Sequence, residues 1–99
     1  MSTTTIAGNN YTYITAGATT QVFVGTGVLV AIVVNKPLLG TVKLIDNDSG
    51  TTANVGTLAS GTTVGTPLNG GRIEYNLTLS VGLRIINSAT EDITVIWRQ

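Results

Sequence analysis

Few side chains in this chain could do acid–base chemistry, and none of them belongs to a recognisable catalytic motif. The sequence has no His and no Cys, so the group that most often moves protons near neutral pH is absent. A Ser or Thr nucleophile would need a base beside it, and only Lys36 and Lys43 could serve. A pair of carboxylates could hydrolyse a glycoside, but charged residues of β proteins usually stand in turns and on outward strand faces. We therefore predict no enzyme activity and no cofactor. The carboxylates in question are Asp46, Asp48, Glu74, Glu91 and Asp92.

One acidic segment resembles the beginning of a calcium-binding loop. It reads Asp-Asn-Asp-Ser-Gly from Asp46 to Gly50. The calcium pattern D-x-[DN]-x-[DN]-G places a third oxygen ligand before the glycine and a Glu several residues later. Here the glycine comes one position early, and the next carboxylate is Glu74. Because Asn, Asp, Ser and Gly also favour tight turns, we predict a hairpin turn without a metal.

Charge is scarce throughout the chain. Only ten of its 99 residues are charged, the net charge is zero, and the first charged residue is Lys36. An ordinary soluble domain is about a quarter charged, so we expect this chain to cover part of its surface with a protein partner. The charges are scattered and form no basic stripe, which argues against nucleic acid. The longest apolar run, residues 28–34, is far shorter than the roughly 20 residues of a membrane helix, and no secretory signal is expected.

Strand patterns dominate the order of residues. Residues 72–81 alternate strictly between polar and apolar side chains, which predicts a strand with one buried face and a break or bulge near residues 80–82. Residues 28–35 are apolar on both parities, so we expect both faces of that strand to be covered, by the fold or by a second subunit. Residues 60–71 are predicted to be mostly loop. The other predicted strands are residues 11–15, 19–24, 40–46, 51–59, 83–87 and 93–98.

Short strands separated by turn residues predict an all-β fold. We expect a single antiparallel β-sandwich, jelly-roll-like, of seven to nine strands, with residues 18–99 as the sandwich domain. Residues 1–17 carry no charge. They are either an N-terminal arm that pairs with a neighbour or the first strand of the sandwich. Trp97 is the aromatic residue considered as an interface anchor. The residues predicted for an oligomer or shell interface are Tyr11, Tyr13, Val28, Val30, Ile32, Val34 and Trp97.

Four segments of the second half follow one pattern of strands and turns. They are residues 40–50 (GTVKLIDNDSG), 72–77 (RIEYNL), 81–85 (VGLRI) and 92–97 (DITVIW). A strand ends in a short Asp/Asn/Ser/Gly turn, a Gly/Thr-rich stretch follows, and strands of the form G-L-x-[IV] and [DA]-[IV]-T-V-x-[YW] come after. In this pattern residues 27–98 resemble small tailed-bacteriophage virion proteins of the capsid decoration (cement) type.

The resemblance implies a structural role. It implies a compact β-sandwich that is made in the host cytoplasm and binds the outside of a capsid in the virion. Together with the neutral composition, it leads us to expect a homo-oligomer, namely a trimer, with the major capsid protein as partner and no nucleic acid or membrane partner. The alternative is a phage tail or fibre β-sandwich module that binds host surface glycans. That function would need an exposed aromatic residue beside polar hydrogen-bonding groups.

Overall fold

The computed structural model describes residues 8–63 and 72–99, and eight β-strands account for most of these residues. The first half of the chain contributes β1 (Asn10–Ile14), β2 (Thr19–Val24), β3 (Gly27–Val34) and β4 (Val42–Ile45). The second half contributes β5 (Asn54–Leu58), β6 (Arg72–Leu79), β7 (Gly82–Asn87) and β8 (Ile93–Arg98). Part of the predicted 60–71 loop, and the beginning of the segment 1–17 predicted as an arm or a first strand, lie outside the described residues. Within these ranges no helix is long and apolar enough to cross a membrane.

The strands form two antiparallel sheets of four. The first sheet has the order β1-β8-β3-β6 and the second has the order β2-β7-β4-β5. Four of the pairs are nested, which means that the outermost strands in chain order pair with each other and the inner ones do the same, step by step. These pairs are β1–β8, β2–β7, β3–β6 and β4–β5. The predicted all-β class is confirmed, and eight strands fall within the predicted seven to nine.

The core lies between the two sheets. β-Branched and leucine side chains suit a pleated surface, and alternate residues of each strand point to the same face. Across the core, the ring of Phe23 in β2 lies 5.3 Å from the ring of Trp97 in β8. The Trp97 indole donates a hydrogen bond of 3.0 Å to the hydroxyl of Thr12, so its one polar atom is satisfied. The residues of the core cluster without measurable exposure are Leu29, Ile32, Val42, Leu44, Leu79, Leu83, Ile85, Ile93 and Val95. Ala31 and Ile45, outside this cluster, are equally buried.

Strand β6 confirms the predicted alternation over residues 72–79, whereas Val81, which the alternation placed on the buried face, lies outside the strand and is 42% exposed. Leu79 is fully buried, and Ile73, Tyr75 and Leu77 are half-buried against the core. Thr78, on the opposite parity, is exposed. The predicted break is also present, because β6 ends at Leu79 in the first sheet and β7 begins at Gly82 in the second.

The acidic segment 46–50 is a turn held by hydrogen bonds. The Asp46 carboxylate accepts hydrogen bonds from the backbone N–H groups of Ser80 (3.0 Å), Val81 (2.9 Å) and Gly82 (3.3 Å), where the chain crosses between sheets. Gly50 has a φ of +68°, a left-handed conformation that glycine adopts without strain. Partial burial raises the pKa of Asp46, but the three N–H donors lower it by more, so this pKa lies below its ordinary value. The segment therefore uses its first carboxylate to fix the crossover.

We predict that Leu79→Ala lowers the free energy of unfolding by about 2–5 kcal/mol, because it leaves a cavity in the core. Thr78→Ala, the adjacent residue on the exposed face, should change it by less than about 0.5 kcal/mol. Urea unfolding of both variants measures the difference. Equal losses would contradict the assignment of one buried face to β6.

We also predict that Asp46 makes the fold sensitive to acid. The pKa of Asp46 is lower in the folded chain than in the unfolded chain, so the ionised carboxylate stabilises the fold. This stabilisation is complete above the pKa of Asp46 in the unfolded chain, near 4, and it is lost as the pH falls through the pKa of Asp46 in the folded chain. Asp46→Asn should therefore cost about 1–2 kcal/mol at pH 7 and reduce the loss of stability in acid. Asp48→Asn removes the same charge without touching the three amides. Unfolding curves that respond to pH identically in the two variants would refute this role.

Candidate functional site

Among the described residues, strand β1 lies at an edge of the first sheet, and its pairing is regular. It pairs with β8 without interruption, from Asn10↔Trp97 to Ile14↔Ile93. The other three edge strands, β2, β5 and β6, each have a shift of register in their pairing. β6 also carries an ion pair between Arg72 and Glu74, whereas β1 has no charged residue. Irregular pairing and charge are devices that protect a sheet edge from pairing with another chain. Of the four edges, β1 makes least use of them.

The outer face beside this edge is apolar. Tyr11 and Tyr13 are 75% and 57% exposed. Residues directly opposite each other in paired strands share a face. Tyr11 is opposite Ile96 of β8, and Tyr13 is opposite Thr94, which is in turn opposite Val33 of β3. We call the set formed by Tyr11, Tyr13, Val28, Val33 and Ile96 the β1 surface.

The strands of the first sheet carry three charged residues, and these stand at the border of the β1 surface, where Glu74 is opposite Ala31. Arg72 is opposite Val33, and Arg98 is opposite Val28. The surface thus combines two exposed tyrosine rings with half-buried aliphatic side chains. Tyrosine supplies large contact area with a polar tip, which is why it is enriched where proteins meet.

The residues predicted for an interface separate into two groups. Tyr11, Tyr13 and Val28 lie on the β1 surface. Ile32 and Val34 lie in the core between the sheets, Trp97 packs against that core, and Val30 is buried. Only the first group is available on the surface of a single chain. For Trp97 the interface role stays a prediction.

A β-bulge in β3 explains this separation. The pairing of β3 with both neighbours shifts between Leu29 and Ala31. Relative to β8, Val30 is an extra residue on β3, whereas relative to β6 the extra residue lies on β6, between Glu74 and Leu77. Strict alternation would place Val28, Val30, Ile32 and Val34 on one face. The bulge reverses the phase instead, so that Val28 faces outward while Ile32 and Val34 face the core. Sequence reasoning also missed Val33 and Ile96, and because residues 28–34 are all apolar, no residue type marks the change of phase.

A cleft opens at the end of the sheets where the β1–β2, β3–β4 and β7–β8 loops meet. Its volume is about 670 Å³. We call it the loop cleft, and it is lined by Tyr13, Thr15, Lys36, Pro37, Leu39, Thr90, Glu91 and Asp92. Tyr13 belongs to both the cleft and the β1 surface, so the two are continuous.

Two adjacent carboxylates have different roles in the cleft. Glu91 is buried, and its two oxygens accept hydrogen bonds from the backbone N–H groups of Leu39 (3.0 Å) and Gly40 (2.8 Å). Asp92 accepts a 3.2 Å hydrogen bond from the Asn35 amide. The interaction of the Tyr13 hydroxyl with the Asp92 carboxylate, together with desolvation and the negative charge of Asp92, raises the pKa of Tyr13. Glu91 therefore fixes a loop, while Asp92 belongs to the polar rim.

The remaining acidic residues do not converge on the cleft. Asp46 is bonded to the crossover after β6, and Glu74 pairs with Arg72 on β6. Within residues 8–63 and 72–99, no three His, Cys, Asp or Glu side chains are grouped so that they could hold a metal ion.

Comparison with known proteins adds no family assignment. A scan against protein-family models and searches of curated proteins and of solved structures found no match to this chain. The β1 surface, the loop cleft and the sequence pattern of residues 27–98 are therefore the features of this chain that bear on its function.

Proposed function

We propose that this chain is a structural virion protein that assembles with itself and binds the outside of a phage capsid as a decoration protein. The observation that carries the proposal is the regular, uncharged edge of β1 beside an exposed apolar face. The resemblance of residues 27–98 to tailed-phage decoration proteins supports the same function. In this account the subunit contributes binding surfaces and no chemistry.

We expect main-chain hydrogen bonds at the β1 edge to contribute to assembly. An edge strand has a row of N–H and C=O groups that no neighbour satisfies, and a second extended strand is the partner that fits them. Burying Tyr11 and Tyr13 at the same contact adds apolar area and rigid rings with few torsions to restrict. An extended segment of a neighbouring subunit or of the major capsid protein would therefore gain both kinds of contact.

We propose a homotrimer as the assembled form. A closed three-fold ring joins two different patches of each subunit, so the β1 surface would meet a second patch on its neighbour. The low charge of the chain leaves few unpaired charges to bury at such contacts. Many trimers on one shell would add avidity to modest individual contacts.

For the fold we propose a jelly roll. The nested pairs β1–β8, β2–β7, β3–β6 and β4–β5 are those expected when one long two-stranded hairpin is rolled into two facing sheets. Eight strands in two Greek keys define that architecture, which capsid and lectin domains share. The strand order therefore supports both candidate functions of the sequence analysis.

The second candidate, a tail or fibre module that binds host glycans, is favoured by one observation. The exposed ring of Tyr13 stands beside the charged groups of Lys36 and Asp92 in the loop cleft. Trp97, by contrast, packs into the core.

Light scattering at micromolar concentration tests assembly. We expect the native chain to have three times its 10.2 kDa subunit mass. Tyr11→Lys should shift the mass toward that of one subunit, because it places a charge in the apolar contact. Val24→Lys is the matched control, since Val24 is also exposed but lies on β2, in the other sheet. A native chain that is monomeric, or equal effects of the two substitutions, would contradict assembly through β1.

Co-sedimentation with empty heads of the phage that encodes this chain tests shell binding. The native protein should sediment with the heads, and Tyr11→Lys should do so less well because it loses avidity. A stable oligomer that stays in the supernatant would refute capsid decoration while leaving self-assembly intact.

A further inference from the structure

The loop cleft has the size and openness of a ligand site. Its volume of about 670 Å³ lies within the roughly 300–1,000 Å³ of ordinary small-molecule sites. Three loops that are distant in sequence supply its walls, through Thr15, through Lys36, Pro37 and Leu39, and through residues 90–92. The position at the end of the sheets leaves it open to solvent.

The apolar part of the cleft is held in place by a buried carboxylate. Leu39 is 75% exposed, and an isolated exposed leucine needs no explanation. Here, however, Glu91 binds the N–H groups of both Leu39 and Gly40. Charge-assisted hydrogen bonds of this kind fix backbone position firmly. The fold therefore presents Leu39 beside Pro37 and the Tyr13 ring as a preformed apolar surface.

The polar rim retains unused hydrogen-bonding capacity. The Lys36 side chain is 77% exposed, and its ammonium lies 4.0 Å from the Asp92 carboxylate, beyond hydrogen-bond distance. Asp92 accepts from Asn35 through one oxygen, and each carboxylate oxygen can accept more than one bond. The cleft also contains Thr15 and Thr90, whose hydroxyls both donate and accept.

An apolar surface beside a polar rim favours some classes of ligand over others. An apolar side chain of a partner would remove water from Lys36 and Asp92 without giving them new hydrogen bonds. Burying charged groups in this way costs free energy. A phosphate would meet one ammonium next to the Asp92 carboxylate, so its charge would be poorly matched. A pyranose ring has an apolar C–H face for Tyr13 and Leu39, and its hydroxyls both donate and accept around its edge.

We propose that the loop cleft is a binding site for a neutral pyranose sugar, with its C–H face on Tyr13 and Leu39 and its hydroxyls on Lys36 and Asp92. The proposal gives the glycan-binding candidate a specific site. It does not rest on capsid decoration, because it uses the loops at the end of the sheets rather than the β1 edge.

The test is a titration of the full isotope-labelled chain followed by amide NMR shifts. The probes are glucose, galactose, mannose and N-acetylglucosamine, each added to about 50 mM, well above the roughly 1 mM dissociation constant expected for a weak site. At least one sugar should cause saturable shifts confined to the amides of residues 13–15, 36, 38–40 and 90–92. Leu39→Ser and Asp92→Asn should each weaken that binding about tenfold. Val55→Ser, an exposed valine on β5, should leave it unchanged.

Three results would overturn the proposal. They are the absence of saturable shifts with every probe, shifts that persist unchanged in Leu39→Ser, and shifts centred on residues outside the cleft. The spectrum of each variant reports at the same time whether it is folded. The assembly variant Tyr11→Lys should bind the sugar as well as the native chain does, so failure of assembly and failure of sugar binding are observed separately.

Discussion

The structure depends on the burial of one apolar face from each four-stranded sheet against the other. Chain length permits a single core, and no Cys is present to cross-link it, so packing between the sheets must hold the fold. Leu29 and Ile32 of β3 meet Leu44 of β4 and Ile85 of β7 in one cluster without measurable exposure. Two carboxylates then hold connecting segments in place by accepting backbone hydrogen bonds. Asp46 binds the crossover after β6, and Glu91 binds the loop after β3. With the inner faces used in this way, only outer faces, edges and loops remain for contact with other molecules.

These remaining surfaces differ in chemistry, and we propose a separate use for each. The β1 edge is regular and uncharged, and it adjoins exposed tyrosines, so it fits a second extended chain. The loop cleft mixes an apolar floor with Lys36 and Asp92, so it fits a ligand that has both an apolar face and hydroxyl groups. Tyr13 takes part in both. The proposed assembly on a shell and the proposed glycan site at the loop end would together use all of these features.

Much of the fold could be predicted from the residues, because the strands carry local signals. The alternation of residues 72–81 and the glycine at position 82 predicted β6 and its end, and every other strand was predicted within a few residues. The phase of β3 could not be predicted, since a run such as Gly-Val-Leu-Val-Ala-Ile-Val-Val has no polar residue to mark the bulge at Val30. The cleft was missed for a different reason. Tyr13, Lys36 and Asp92 are far apart in sequence and meet only because β1, β3 and β8 are neighbours in one sheet.

The central claim is that the free edge of β1 is where this chain pairs with another. Hydrogen–deuterium exchange, measured on the same protein when assembled and when diluted to single subunits, tests it directly. The account predicts that the amides of β1 exchange more slowly in the assembled state, while those of β5, an edge strand of the other sheet, are unchanged. An assembly whose β1 amides exchange as fast as those of the single subunit would contradict it.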